Sequence, residues 1–287
     1  MSALTTVARR GRLRLPAMTI VPKRGPVIAL GVILLIGLIG PFFVDDPQVG
    51  DPAAQLAGPS WNHLFGTDQY GFDILARVVC AIRLDVGVAI AASLLAVAIG
   101  MPLGALAGFR RGWPEQVLLR VTEGFQSFPA LLLAIGVASA LGASIANLVI
   151  VIAVVNAPVF LRLTRNAVLP LREADYVIMA RVAGRGTAAI LWHHMLPNVR
   201  SVIIAQFSVN CGWSILTMAG LSFIGVGPTL PTAEWGLMIQ QGSEFLVTGQ
   251  WWPSVFPGVA ILITVLVLNE IADGLRVRKS SAKEAGR

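Results

Sequence analysis

The order of apolar and polar positions divides the chain into segments. Five stretches carry no charged or histidine side chain: Gly25 to Val44, Val86 to Phe109, Gly124 to Leu161, Ser201 to Ala233 and Phe245 to Asn269, which are 20, 24, 38, 33 and 25 residues long. One helix crossing the hydrocarbon core of a bilayer needs about 20 apolar residues. The 38-residue stretch is too long for one helix, and Leu141-Gly142-Ala143-Ser144 near its middle reads as a tight turn. It therefore counts as two spans, and the pattern predicts an all-α membrane protein with six transmembrane helices.

Composition agrees with this class. Of 287 residues, 55% are hydrophobic and 13% charged, against roughly one quarter charged in an average soluble domain. A soluble globular protein is excluded. Gly and Pro lie inside apolar runs, which excludes low-complexity disorder as well. The net charge of +7 does not point to nucleic acid, because the basic residues do not cluster on a soluble face.

Their distribution instead predicts orientation. Of the 22 basic residues, 20 fall in four alternate segments: before Gly25, between Arg110 and Glu123, between Arg162 and Arg200, and after Asn269. Cytoplasmic loops hold the excess of Lys and Arg, so both termini are expected in the cytoplasm. A five- or seven-span count would place a basic segment outside. The first span is expected to remain as an anchor: its apolar core is longer than that of a signal peptide, and Pro41-Phe42-Phe43 is no small-residue cleavage site. Two cysteines, Cys80 and Cys211, do not define a disulfide framework. The expected organisation is a basic cytoplasmic segment 1–24, a six-span domain 25–276 and a cytoplasmic tail 277–287. Within that domain lie outer loops 45–85 and 225–250 and an inner hairpin 162–200.

Two of the connections are long. The outer segment Asp45 to Asp85 is dense in Asp, Gly and Pro, which implies an ordered, turn-rich loop. It is either a cap on the helix bundle or a docking surface for an external partner. The inner segment holds a helical stretch Glu173 to Ala183, a break at Gly184-Arg185-Gly186, a second stretch Thr187 to Met195 and Leu196-Pro197-Asn198. Gly-Arg-Gly suits a sharp turn between short helices. Two readings of this hairpin stand side by side. It either lies on the lipid headgroups through Ile178, Val182, Ile190 and Trp192, or it docks to another protein.

Chemistry is sparse. The five apolar stretches lack Asp, Glu, His, Lys and Arg, whereas proton-coupled carriers and intramembrane enzymes usually hold ionisable groups inside their spans. Asp85, Glu123, Arg162 and Glu270 are expected at span ends. His193-His194 lack the i, i+4 spacing of two metal ligands on one helix face. The chain contains no Gly-Lys dipeptide and so no phosphate-binding loop of the GxxxxGK[ST] kind. If transport here is ATP-driven, another polypeptide binds the nucleotide.

Five strings in order are similar to one family. Phe65-Gly66-Thr67-Asp68 with Gly71, Asp73, Arg77 and Arg83 resembles the pattern FGTDxxGRDxxSRxxxGxR, with Phe72, Ala76 and Ala81 where Arg, Ser and Gly are usual. Arg120-Val121-Thr122-Glu123 leading to Phe128-Pro129 resembles RxxD…FP. Arg162 and Arg165, then Arg172-Glu173-Ala174-Asp175-Tyr176-Val177, Ala180-Arg181, Gly184 and Leu196-Pro197-Asn198 resemble the loop carrying the EAA motif. Ile178 and Met179 stand at the motif's Glu and Ala. Gly220 to Gly227 with Pro231 and Trp235-Gly236-Leu237-Met238 is similar to LSFLGLG…P…WGxM. Pro257-Gly258, Asn269 and Asp273-Gly274-Leu275-Arg276 match the last span, without the usual Asp-Pro-Arg ending.

The family is that of the C-type inner-membrane permease subunits of ATP-binding-cassette importers for dipeptides, oligopeptides and nickel. The resemblance implies a type I importer permease fold in a bacterial plasma membrane. It implies no catalysis and no cofactor on this chain, ATP and Mg being held by one or two ATPase subunits. A second homologous permease and an external solute-binding protein are the other implied partners, with a short peptide, or else a nickel chelate or other small solute, as cargo. The ATPase-coupling hairpin would comprise Glu173, Asp175, Tyr176, Ala180, Arg181, Gly184, Arg185, Gly186, Thr187, Ala188, Ala189, Ile190, Leu196 and Pro197. Phe65, Gly66, Thr67, Asp68, Gly71 and Asp73 would serve receptor docking. A self-sufficient channel or carrier is the competing class. Gly100, Gly104 and Gly108 suit either packing within the chain or a permease–permease seam, and Phe125, Gln126, Ser127 and Asn156 are candidates to line the pathway.

Overall fold

The computed structural model describes residues 24–110, 112–142 and 144–276. The basic segment up to Lys23, Arg111, Ala143 and the tail 277–287 lie outside the described residues. Among the described residues, ten α-helices follow in chain order: α1 Arg24–Ile39, α2 Ile74–Phe109, α3 Trp113–Ser127, α4 Ala130–Leu141, α5 Ile145–Val168, α6 Asp175–Val182, α7 Thr187–Ile190, α8 Leu196–Phe223, α9 Trp235–Ser243 and α10 Trp252–Arg276. With short extensions, five of these (α1, α2, α5, α8 and α10) are long and apolar enough to cross a membrane.

The expected third span departs from a straight helix. Helices α3 and α4 pass as a pair but are bent by 93° at Phe128-Pro129. Pro129 offers no N–H and forces Phe128 out of the helical region, here to φ −86°, ψ 140°. Helix α4 alone has 12 residues, about 18 Å at 1.5 Å per residue, against a hydrocarbon core of about 30 Å. The expected turn after Leu141 is present. Gly142 takes φ +85°, Ser144 caps α5 by accepting from the Asn147 backbone N–H at 3.1 Å, and Asn147 Nδ2 donates to the Leu141 and Gly142 carbonyls.

The second span is also longer than its charge-free core. Helix α2 starts at Ile74, with Asp73 accepting the Ala76 N–H at 2.9 Å as its N-cap. It therefore contains Arg77, Arg83 and Asp85, and the outer loop ends at Asp73. Its 36 residues extend about 54 Å, more than a bilayer's hydrocarbon core, so the charged first turns have room outside it. Helix α8 likewise starts at Leu196 and ends at Phe223, ten residues short of Ala233.

Helices α2 and α5 pack most closely, and the glycine ladder is the reason. A Cβ at Gly100 would collide with the Ala157 carbonyl, one at Gly104 with the Leu161 carbonyl, and one at Gly108 would lie 2.8 Å from the Arg165 carbonyl. The ladder thus serves packing within the chain. Buried Ser93, Asn156, Asn210 and Ser214 tie α2, α5 and α8 together: Asn210 Nδ2 donates to Ser93 Oγ at 3.0 Å and Asn156 Nδ2 to Ser214 Oγ at 3.4 Å. In lipid, such groups are satisfied by neighbouring helices because water does not reach them. Helix α1 touches the bundle along one edge, where Arg83 Nε and Nη2 donate to the Gly37 and Leu38 carbonyls at 2.7 and 2.5 Å. Its remaining face, from Ile28 to Ile39, exposes large apolar side chains.

Candidate functional site

The two ends of α2 carry the two elements that the sequence singles out. At the Phe109 end stands the hairpin. Gly184 takes φ +74°, its N–H donates to the Arg181 carbonyl at 2.9 Å and the Arg185 N–H to the Ala180 carbonyl at 3.0 Å. This pair of bonds is the Schellman motif, and it selects Gly because a side chain resists the left-handed backbone. Thr187 opens α7, which runs through a π-helical turn at Leu191–Met195 into α8.

The hairpin divides into a root and an exposed face. Val177, Ala180, Ile190, Leu191, Met195 and Leu196 are buried against Ala105, Phe109 and Val168 from the ends of α2 and α5. The Arg181 guanidinium lies 4.5 Å from the Phe109 ring centre, and Asn198 Nδ2 reaches Tyr176 Oη at 3.4 Å and the His194 carbonyl at 2.6 Å. Glu173, Asp175, Arg181, Gly184, Arg185, Gly186, Ala188 and Pro197 are exposed, while Thr187 and Ala189 are partly covered. Ile178, Met179, Val182 and Trp192 add an apolar surface, with Val182 82% exposed. Of the four residues expected on a lipid-facing side, Ile190 is therefore a core residue. The motif's variable positions, Ile178 and Met179, face outward.

At the Ile74 end the loop that precedes α2 folds back on the bundle. Thr67 is fully buried: its hydroxyl donates to the Ala54 carbonyl and accepts the Ala57 N–H, and its carbonyl accepts Trp252 Nε1–H at 3.1 Å. Asp68 Oδ1 accepts the Tyr70 and Phe72 N–H groups at 2.9 and 3.0 Å. Burial raises the Asp68 carboxyl above its usual range, with those two donors and Arg77 opposing. Phe65 stacks on Phe256 with ring centres 4.0 Å apart, and Asp73 Oδ2 is 2.9 Å from His63 Nδ1. Gly66 and Gly71 both take φ +75° and are buried. The string expected to meet a receptor is thus the internal frame of the loop. The outward side chains are neighbours such as Val49, Trp61, Leu64 and Tyr70, with Trp61 95% exposed.

The segment between α8 and α9 is locked to the same end. Arg77, fully buried, donates to the Pro47 carbonyl at 3.2 Å and the Thr232 carbonyl at 3.1 Å, joining the two loops. Glu234 caps α9 by accepting the Gly236 and Leu237 N–H groups at 2.9 and 2.6 Å. Burial raises the Glu234 carboxyl, opposed by these donors. The Trp235 N–H reaches Asp85 Oδ2 at 3.2 Å and its indole N–H the Val78 carbonyl at 3.0 Å. Asp85 is thus a buried structural partner inside α2 rather than a group at a span end. Among the pathway candidates, Asn156 is buried in the polar junction, whereas Phe125, Gln126 and Ser127 are exposed at the end of α3. The junction partners Ser93, Asn210 and Ser214 escaped sequence reasoning; their one signal is a polar residue within an apolar run.

An apolar helical bundle, capped at one end and bearing an exposed hairpin at the other, has the build of a polytopic membrane protein. Residues 100–278 match the family of binding-protein-dependent transport system inner membrane components, and the chain belongs to it. It is 37% identical over 260 residues to the dipeptide transport system permease protein DppC of Alkalihalophilus pseudofirmus, covering 88% of this chain and 85% of that protein. It is 38% identical to the glutathione transport system permease protein GsiD of Pectobacterium atrosepticum, covering 76% and 72%. The probable D,D-dipeptide transport system permease protein DdpC of Escherichia coli is 35% identical, covering 87% and 84%. The chain is accordingly a transport permease subunit.

Proposed function

We propose that this chain forms half of the translocation pathway of an ATP-driven importer for short peptides, with a second homologous permease forming the other half. The relatives' dipeptide, D,D-dipeptide and glutathione cargoes share peptide chemistry, which supports that substrate class. The carrying observation is the hairpin: a rigid turn with a buried root and an exposed tip, between the two long helices α5 and α8. ATPase subunits holding ATP and Mg would receive this tip. Their closure would draw the hairpins together and rock the bundle between inward- and outward-facing states. Six spans, counting α3 and α4 as one broken span, would leave both termini on one side, and the excess of Lys and Arg in alternate segments supports the cytoplasmic side of a bacterial plasma membrane. The receptor would then settle on the outer loops, with Trp61, Leu64 and Tyr70 as contact residues around the frame of Phe65 to Asp73.

Affinity purification of the tagged chain from its native membrane tests the assembly. A second permease and ATPase subunits in near-equal amounts are expected; a chain that elutes alone, while stable, favours a channel or carrier. Gly184 tests the coupling. A Cβ there meets nothing within 4 Å, so Gly184→Val acts through the left-handed backbone, at about 1–2 kcal/mol. ATP-dependent uptake should fall with the protein still in the membrane, and Gly184→Asn, which tolerates this conformation, should fall less. Unchanged uptake in Gly184→Val refutes the coupling role.

A further inference from the structure

Helix α3 is held to the bundle at few points. Of its fifteen residues only Glu115 and Thr122 are buried, and the Thr122 hydroxyl donates to Leu119 of the same helix. Before α3 stands Gly112 at φ +127°, and after it comes the 93° bend into α4. Glu115 therefore carries the tertiary attachment of its first turn. Its Oε1 accepts Arg165 Nε at 2.8 Å and Arg165 Nη2 at 2.5 Å, and Arg165 Nη1 also reaches Asn166 Oδ1 at 3.0 Å. Side-chain exposures of 10% for Glu115 and 23% for Arg165 leave the pair little water to compete with it. Two charged N–H donors converging on one carboxylate oxygen make a short, charge-assisted contact, stronger than a neutral hydrogen bond.

Arg165 sits in the last turn of α5, three residues before Val168, which is fully buried in the root of the hairpin. The same turn is clamped from behind by Gly108 of α2. Val168 and Arg165 thus share one turn of α5, so that a displacement of the hairpin root would meet Arg165 through directly packed groups.

We propose that the Glu115–Arg165 pair is the positioning link that makes the α3–α4 arm follow the hairpin, so that nucleotide-driven movement at the docking tip reaches the bent span. The link rests on the permease reading above. It does not require that the cargo be known. Glu115 and Arg165 are positioning residues, and neither needs to touch cargo or nucleotide.

The test uses the complex with its ATPase partners in lipid nanodiscs, with Cys80 and Cys211 replaced by Ser. One spin label goes at exposed Leu262 of α10 and a second at either Ala188 in the hairpin or Ser139 on α4, both of them exposed. Adding ATP and vanadate should change both distances in the parent protein. Glu115→Gln should keep the Ala188 change and lose at least half of the Ser139 change, and the exchange Glu115→Arg with Arg165→Glu should restore it. If Glu115→Gln fails to accumulate, Arg165→Lys, which keeps the charge and loses the paired Nε and Nη2 donors, should show the same loss. The link is overturned if the Ser139 change survives Glu115→Gln, if the exchange leaves it lost, or if the parent moves at Ala188 and not at Ser139. A parent complex that moves at neither position overturns the proposed nucleotide coupling of the hairpin and the link with it.

Discussion

Gly104 offers the sharpest test of how the bundle is held. An added Cβ would meet the Leu161 carbonyl oxygen, with the carbonyl carbon and Cα of Leu161 each 3.0 Å away. All three are backbone atoms, so no side-chain rotation relieves the clash and α2 must move away from α5. Overpacking of this kind costs about 1–3 kcal/mol. Ala also gains about 1 kcal/mol of intrinsic helix preference over Gly, which would mask part of the loss. Gly87→Ala removes that ambiguity: it lies on the same helix, and its Cβ meets nothing within 4 Å. The helix preference cancels between the two variants, leaving the steric term. Gly104→Ala should therefore unfold below Gly87→Ala by about 2–12 °C, taking roughly 2–4 °C per kcal/mol for a chain of this size. The assay is the midpoint of thermal unfolding in detergent. A Gly104→Ala protein that unfolds at or above the Gly87→Ala midpoint would refute the packing argument.

Three further perturbations read other parts of the structure. Trp235→Ala empties a buried site and removes the bond to the Val78 carbonyl, so a loss of about 3–5 kcal/mol is expected, against about 1 kcal/mol for the hydrogen bond itself in Trp235→Phe; denaturation of the two variants side by side checks the order. Asp68→Ala strands the Tyr70 and Phe72 N–H groups and should cost about 1–3 kcal/mol, whereas Asp68→Asn keeps an acceptor oxygen. Because burial raises the Asp68 carboxyl, the folded protein binds this proton more tightly than the unfolded chain does. Its contribution is therefore full below the ordinary value of 3.8 and is lost as pH rises through the raised value. Melting curves from pH 3.5 to 7 should show that slope flattened in Asp68→Asn. Asn210→Ala breaks the contact between α8 and Ser93 and should lower stability by about 0.5–2 kcal/mol, the range of interhelical polar contacts in membranes; an unchanged midpoint would remove the junction from the account of stability.

The positions of the apolar helices were legible in the sequence because the transfer of side chains into lipid is nearly additive along a helix. The turns at Gly142 and Gly184 were legible for a related reason, since both depend on one residue's backbone freedom. Both of these properties are local. The start of α2 was hidden because Arg77 and Asp85 look like loop charges until their partners are known, and those partners, Thr232 and Trp235, lie 155 and 150 residues further along.

The string from Phe65 to Asp73, expected to dock a receptor and found as the internal frame of its loop, shows the other half of the problem. Its residue types announce an ordered loop, yet whether a Thr or an Asp faces outward depends on which backbone groups need a partner once Trp252 and Phe256 have closed over it. The Glu115–Arg165 pair spans 50 residues across a bend that Pro129 announces without stating its direction. By itself, then, the sequence determined the apolar, helical class of the protein, the hairpin and the family. Only the tertiary structure decided which charges are buried, which glycines are contact points and which exposed residues remain free to meet a partner. Those depend on pairwise contacts between distant segments, and no local pattern encodes them.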